Sequence, residues 1–313
     1  CTRKHHHPKD KSNEDYNVCC WQKKKAILKD ELSTKFEEEG GIAPELSAEE
    51  KGEEKKNSSG TPKHVTHGYH LVEGKTAHAM EDYIVAKTRQ VDDSELGLYA
   101  IFDGHSGRDV AKYLQKHLFE NILSQPDFWT DTKAAIKRAY KNADDEILHE
   151  VVGARGGSTA VTAILADKKK LVVANVGDSR AVICNGGVAK PISVDHEPLK
   201  ENDEIESRGG CVVKRPGNVP RVDGQLAMAR AFGDGKLKKH ITSEPDIFIK
   251  KINEDTESVI LASDGMWKVM SNQEAVDCIK DIDDAKEAAE TLVEEALDRG
   301  STDDISCIVI IFQ

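Results

Sequence analysis

The sequence has no apolar run approaching the roughly 20 residues that span a bilayer. It also has no basic start followed by an apolar core, the pattern of a secretory leader. A basic excess is missing too: of 313 residues, 44 are Lys or Arg and 56 are Asp or Glu, a formal net charge of -12. Positions 1–63 hold 13 basic and 13 acidic residues, so 64–313 hold 31 against 43 and carry the whole excess. Nucleic-acid binders usually present a basic face, so DNA and RNA are not expected as partners. The seven cysteines, at 1, 19, 20, 184, 211, 278 and 307, follow no framework spacing. An odd count of this kind reads as reduced thiols and points to the cytoplasm or nucleus. No Ser, Cys or His falls in a nucleophile–base pattern, and no internal repeat is evident. The first residue is Cys1 rather than Met, and the true start of the chain is left open.

Two regions of different texture are present. Residues 1–63 alternate charge runs, such as Lys23-Lys24-Lys25 and Glu37-Glu38-Glu39, with few apolar residues. A segment that buries so little cannot offset the entropy of ordering it, so a disordered charged tail is expected. A short helix across 21–36 is the one regular element it could form, and His5-His6-His7 is too flexible a triplet to fix a metal geometry. From His64 onward the periodicity changes. Strands are expected at 65–72, 83–91 and 96–102. A helix follows on Val110, Leu114, Leu118 and Ile122, then a second, capped by Asp131, on Ile136, Ala139, Tyr140, Ala143 and Ile147. Four strands come next at 158–165, 170–176, 180–184 and 188–193, the last two joined by an Asn185-Gly186 turn. Residues 195–240 are irregular. Strands return at 247–252 and 259–262. Ser271 and Glu274 sign a capping box, a helix covers 283–299, and a strand covers 305–312. Strand and helix do not alternate, so a doubly wound parallel sheet is not expected. The order suits an α+β fold of packed antiparallel sheets with helix pairs outside.

Short acidic motifs punctuate this second region at the ends of apolar runs. They are Met80-Glu81-Asp82, Asp103-Gly104-His105-Ser106-Gly107, Val176-Gly177-Asp178-Ser179-Arg180, Ser263-Asp264-Gly265 and Thr302-Asp303-Asp304. Carboxylates at strand ends can gather at one rim of a sheet. There they repel one another unless cations lie between them. The pattern therefore suggests a site for hard divalent metals, and hydrolytic chemistry.

Those motifs occur together with Gly156-Gly157-Ser158-Thr159-Ala160, Asp195-His196-Glu197-Pro198, Ala231-Phe232-Gly233-Asp234 and Asp303-Asp304-Ile305-Ser306. In this order, across about 250 residues, they resemble the metal-dependent serine/threonine protein phosphatases of type 2C. Gly74-Lys75 and Trp267-Lys268-Val269-Met270 look like a plant branch of that family. The resemblance implies a four-layer α-β-β-α sandwich over 64–313 and hydrolysis of phosphoserine and phosphothreonine in proteins. It further implies two Mg2+ or Mn2+ ions. Asp103 would bridge them, Asp264 and Asp303 would complete one shell, and the Gly104 carbonyl, Glu81 and Asp82 would serve the other. His105 would give a proton to the departing oxygen. Phosphorylated proteins are the implied partners, and a monomer is the implied state.

Two departures stand out. Where the family usually has an Arg that grips phosphate, this chain has Ala77. Lys75, two residues away and on the same face if the segment is a strand, and His78 are the candidate replacements, without the bidentate fork of Arg. Lys268 stands where many members carry an Asp that, with Asp178, holds a third and weaker ion. An ammonium near Asp178 would act as a built-in cation, so a tight third site is not expected. Residues 195–224 resemble the family's flap. Arg208, Lys214, Arg215 and Arg221 make it basic, with Arg221 the foremost candidate for meeting substrate. Two other readings stay open: a relative that binds phosphoproteins without turnover, and a hydrolase of small phosphoesters.

Overall fold

The chain is described by a computed structural model over residues 63–151 and 155–313. The tail, the 21–36 helix and the histidine triplet therefore lie outside the described residues. In chain order the elements begin with strands β1 (Val65–Val72), β2 (Tyr83–Val91), β3 (Ser94–Phe102) and the two-residue β4 (Gly104–His105). Helices α1 (Asp109–Leu123) and α2 (Thr132–Glu146) follow, and α2 runs on into a π turn, Ile147–Val151. Then come β5 (Gly157–Ser158), β6 (Ala160–Ala166), β7 (Lys170–Val176), β8 (Arg180–Asn185) and β9 (Val188–Pro191). The stretch after β9 holds only short elements: α3 (Asn202–Ser207), β10 (Val212–Val213), β11 (Arg221–Val222) and β12 (Phe232–Gly233). The rest is β13 (Asp246–Lys251), β14 (Thr256–Ala262), α4 (Asp264–Trp267), α5 (Asn272–Ile279), α6 (Ala285–Asp298) and β15 (Ile305–Phe312).

Two five-stranded antiparallel sheets face each other, in the orders β1-β15-β14-β8-β9 and β13-β7-β6-β3-β2. Their central strands are apolar on both faces, as strands buried on two sides must be. In β3, Leu96, Leu98, Ala100 and Phe102 pack on α1 and α2, while Tyr99 and Ile101 meet the opposite sheet. In β15, Ile305, Cys307, Val309 and Ile311 pack on α4, α5 and α6, while Ile308, Ile310 and Phe312 face inward. The molecule is therefore an α+β, four-layer α-β-β-α sandwich, as the sequence led us to expect. Fully burying one Leu, Ile or Phe is worth about 2 kcal/mol, so three apolar layers supply the main cohesion.

Helix ends are fixed locally. The Asp131 carboxylate accepts the Ala134 N–H at the start of α2, and Asp284 accepts those of Lys286 and Glu287 at the start of α6. Ser271 and Glu274 form the expected capping box of α5. The β8–β9 hairpin differs by one residue from expectation. Asn185 pairs with Val188 as a strand residue, and the two-residue turn is Gly186-Gly187. Both glycines have positive φ, +56° and +74°, which a right-twisted two-residue hairpin requires. The expected strand 158–165 is interrupted at Thr159. Gly157 and Ser158 pair instead with β4 and β12 in a small separate sheet.

Candidate active site

One edge of the sandwich collects the ends of strands from both sheets. Asp103 follows β3, and Glu81 and Asp82 precede β2. Asp178 sits in the β7–β8 turn, Asp264 follows β14, and Asp303 precedes β15. Asp82 feels Asp264, while Asp103 feels Asp82, Asp264, Asp178 and Asp303. The structure thus brings together the acidic residues singled out from sequence.

The frame holding them is a set of hydrogen bonds. The Thr159 N–H donates to the Asp103 carbonyl at 2.9 Å, and the Asp103 N–H donates to Thr159 Oγ1 at 3.2 Å. Thr159 Oγ1 lies 2.8 Å from the Ser179 hydroxyl, which ties the Asp103 turn to the Asp178 turn. Ser306 donates to Asp82 Oδ2 at 2.7 Å. Asp304 is buried, and its two oxygens accept from Gly74 N–H and Glu81 N–H, each at 2.8 Å. Asp304 is thus the strut that fixes the 74–82 loop, a role its place beside Asp303 did not reveal. Glu81 Oε1 in turn accepts the Gly107 N–H at 2.8 Å.

The electrostatics are those of crowded, dehydrated anions. Burial first, and neighbouring carboxylates second, raise Asp103 well above the usual carboxylate range. Burial likewise pushes Asp82 and Asp178 up to about 7 and raises Asp264. Asp82 Oδ1 and Asp178 Oδ1 are shut from solvent with no donor among the described residues. An anionic oxygen in that position is costly, and a hard cation with oxygen ligands would relieve it. The donor set therefore fits Mg2+ or Mn2+. Among the described residues, no three His, Cys, Asp or Glu side chains stand placed to hold a metal ion as they are.

Lys268 stands between two of these carboxylates. Its Nζ lies 2.6 Å from Asp264 Oδ2 and 2.8 Å from Asp303 Oδ2. From sequence it was expected beside Asp178; its charge does reach Asp178, but its direct partners are the other two. His105 leaves β4 with Nε2 2.7 Å from Asp234 Oδ2, and its buried Nδ1 has no partner among the described residues. Gly157 makes room for this pair. A Cβ there would stand 2.3 Å from Asp234 Oδ2 and 2.6 Å from His105 Nε2. Asp234 is a site residue that the sequence reading quoted within a motif and left without a role.

The phosphate-binding candidates are less gathered. Residues 73–82 form a bent loop rather than a strand, because Gly74 and Glu81 are both pulled onto Asp304. The same-face argument for Lys75 therefore does not hold; its ammonium is exposed, and its N–H donates to the Thr302 carbonyl. His78 is exposed, 4.0 Å from Glu81 Oε2. Its pKa is raised, first by the Ala79 carbonyl and then by Glu81, Asp304 and Asp303. Arg221 sits apart in the 195–240 stretch, where it donates to the Gln225 carbonyl and lines a cavity with Arg215 and Asn218. That stretch has its own small core, including Ile205, Val222, Met228 and Leu237. Buried His196 anchors it, accepting the Gly177 N–H at 3.0 Å and lying 3.1 Å from Asp246.

Residues 73–305 match the family model described as protein phosphatase 2C. The chain is 66% identical over 247 residues to the probable protein phosphatase 2C 28 of Arabidopsis thaliana, covering 79% of this chain and 73% of that protein. It is 59% identical over 270 residues to the probable protein phosphatase 2C 62 of Oryza sativa subsp. japonica, covering 85% and 92%. Among solved structures, a serine-threonine phosphatase 2C from Toxoplasma gondii superposes with a TM-score of 0.70 at 24% identity, over 82% of this chain and 96% of that one.

Proposed function

Because this chain belongs to the protein phosphatase 2C family and so is a protein serine/threonine phosphatase, we propose that it works through two divalent ions, with His105 as proton donor. The observation that carries this reading is the gathering of Asp82, Asp103, Asp178, Asp264 and Asp303 at one sheet edge, two of them with buried oxygens that have no donor among the described residues. Bound Mg2+ or Mn2+ would acidify water and neutralise the phosphoryl oxygens. Asp103, Asp264 and Asp303 would hold one ion, and Asp103, the Gly104 carbonyl, Glu81 and Asp82 the other.

The chain's own groups do the rest. Asp304 holds the Gly74–Glu81 loop against β15, which sets where the Glu81 carboxylate lies. His105 gives a proton to the leaving serine or threonine oxygen, and Asp234 keeps its ring from turning. Lys75 and His78, on the loop beside the carboxylates, meet the substrate phosphate as single positive charges. Arg221 would reach substrate only from the 195–240 stretch.

Purified protein should release phosphate from phosphothreonine peptides with Mn2+ present, and EDTA should stop it. Asp103→Asn and Asp264→Asn should each lower kcat by at least about a hundredfold, while Lys75→Ala should mainly raise KM. Full activity in either Asp→Asn variant would remove the two-ion reading.

A further inference from the structure

Lys268 closes the turn of α4, with its N–H donating to the Asp264 carbonyl at 2.9 Å. The same turn is nailed down by Trp267, nearly buried, whose Nε1–H donates to the Ala262 carbonyl at 3.0 Å. Four residues along a helix bring two side chains onto one face, so the backbone itself aims the Lys268 ammonium at Asp264. The second contact reaches across 35 positions to Asp303, just before β15. The ammonium thus bridges carboxylates that two different segments deliver, meeting Oδ2 of each. The other Asp303 oxygen is already engaged by the Asp304 N–H at 3.0 Å.

We propose that Lys268 is a built-in competitor for the divalent ion that Asp264 and Asp303 would hold, so that this ion loads by displacing an ammonium. The inference rests on the two-ion reading above. A divalent cation within reach of both carboxylates would lie within a few ångströms of a like charge, and the two repel. The side chain of Lys268 is 55% exposed, so it can swing into water and keep its hydration. Loading is then an exchange rather than an exclusion. The ion on the Glu81 and Asp82 side does not share oxygens with Lys268, so the competition falls on one step of two. The same ammonium supplies charge near Asp178, which leaves little reason for a third ion to bind there.

The test is a Mn2+ titration of the whole protein by calorimetry, run on wild type, Lys268→Ala, Lys268→Gln, Lys268→Arg and Asp264→Asn. Two ion contacts of a partly exposed ammonium are lost in the first two variants, so one of two binding steps should tighten about tenfold and the other should stay put. Lys268→Arg should behave as wild type. Thermal melting without metal reports whether each variant is folded. If Lys268→Ala and Lys268→Gln, both folded, bind Mn2+ as wild type does while Asp264→Asn loses one step, the competitor idea is wrong and the two-ion reading stands. If Asp264→Asn keeps both steps, the two-ion reading itself fails, and this inference with it.

Discussion

A single histidine shows how far one contact shapes the chemistry of this chain. His105 alone could be any turn residue, but Asp234 grips its Nε2 and Gly157 clears the space for both. Asp234→Asn should slow a phosphothreonine peptide by about ten- to a hundredfold. It should barely touch 2,4-dinitrophenyl phosphate, whose leaving group needs no proton. His105→Gln should show the same selectivity. Equal losses on both substrates in Asp234→Asn would mean that the carboxylate merely supports the fold. The acidic residues were legible because they follow or precede strand-forming runs, a pattern readable along the chain. The partner of His105 was not, because it lies 129 positions away and no spacing rule joins them. Lys268 was noticed for its charge, yet its link to Asp303 depends on how β15 lies beside α4. Lys75 was given a strand neighbour that the pull of Asp304 on Gly74 removes.

At the scale of elements, β1, β2, β7 and β15 lie where they were expected to the residue; β7 and β15, buried on both faces, leave long unambiguous apolar runs, whereas β1 and β2 are partly exposed. Asp131 and the Ser271–Glu274 pair marked the starts of α2 and α5, whereas α6, expected over 283–299, is capped by Asp284 and runs Ala285–Asp298. The pattern failed where burial is sparse. The two-residue strands of 195–240 are held by hydrogen bonds and a small core rather than by periodicity. The interruption at Thr159 is set by its bonds to Asp103 and Ser179. The capping box of α5 offers a clean check. Ser271 Oγ accepts the Glu274 N–H at 3.3 Å, and Glu274 Oε2 accepts the Ser271 N–H at 2.9 Å. Ser271→Ala should cost about 1 kcal/mol, seen as a lower urea midpoint with an unchanged slope. No change in the midpoint would show that the Arg299–Glu274 pair, 2.7 Å apart, already secures that helix end.

For the whole molecule, the carboxylate edge ties stability to pH and to metal. Asp82 and Asp178 titrate near 7 in the fold, and Asp103 and Asp264 are raised too, against about 4 when unfolded. Between those values the folded chain holds protons that the unfolded chain has released. Stability without metal should therefore fall as pH rises from about 4 to 7. In EDTA the melting temperature should be higher at pH 5.5 than at pH 7.5, and Mn2+ should recover most of the loss at the higher pH. His67, lowered by burial, works in the opposite sense, while His78, raised, works with the four carboxylates. A melting temperature in EDTA that climbs with pH across this range would contradict the crowding. The Asp304 strut has a different reach, into the making of the protein. Asp304 joins Gly74 and Glu81 across more than two hundred positions, and among the described residues β1 pairs only with β15. The 74–82 loop therefore settles only when the segment carrying Asp304 packs beside it. This edge of the sandwich is thus assembled from contacts of very large sequence separation, the kind that form late in folding.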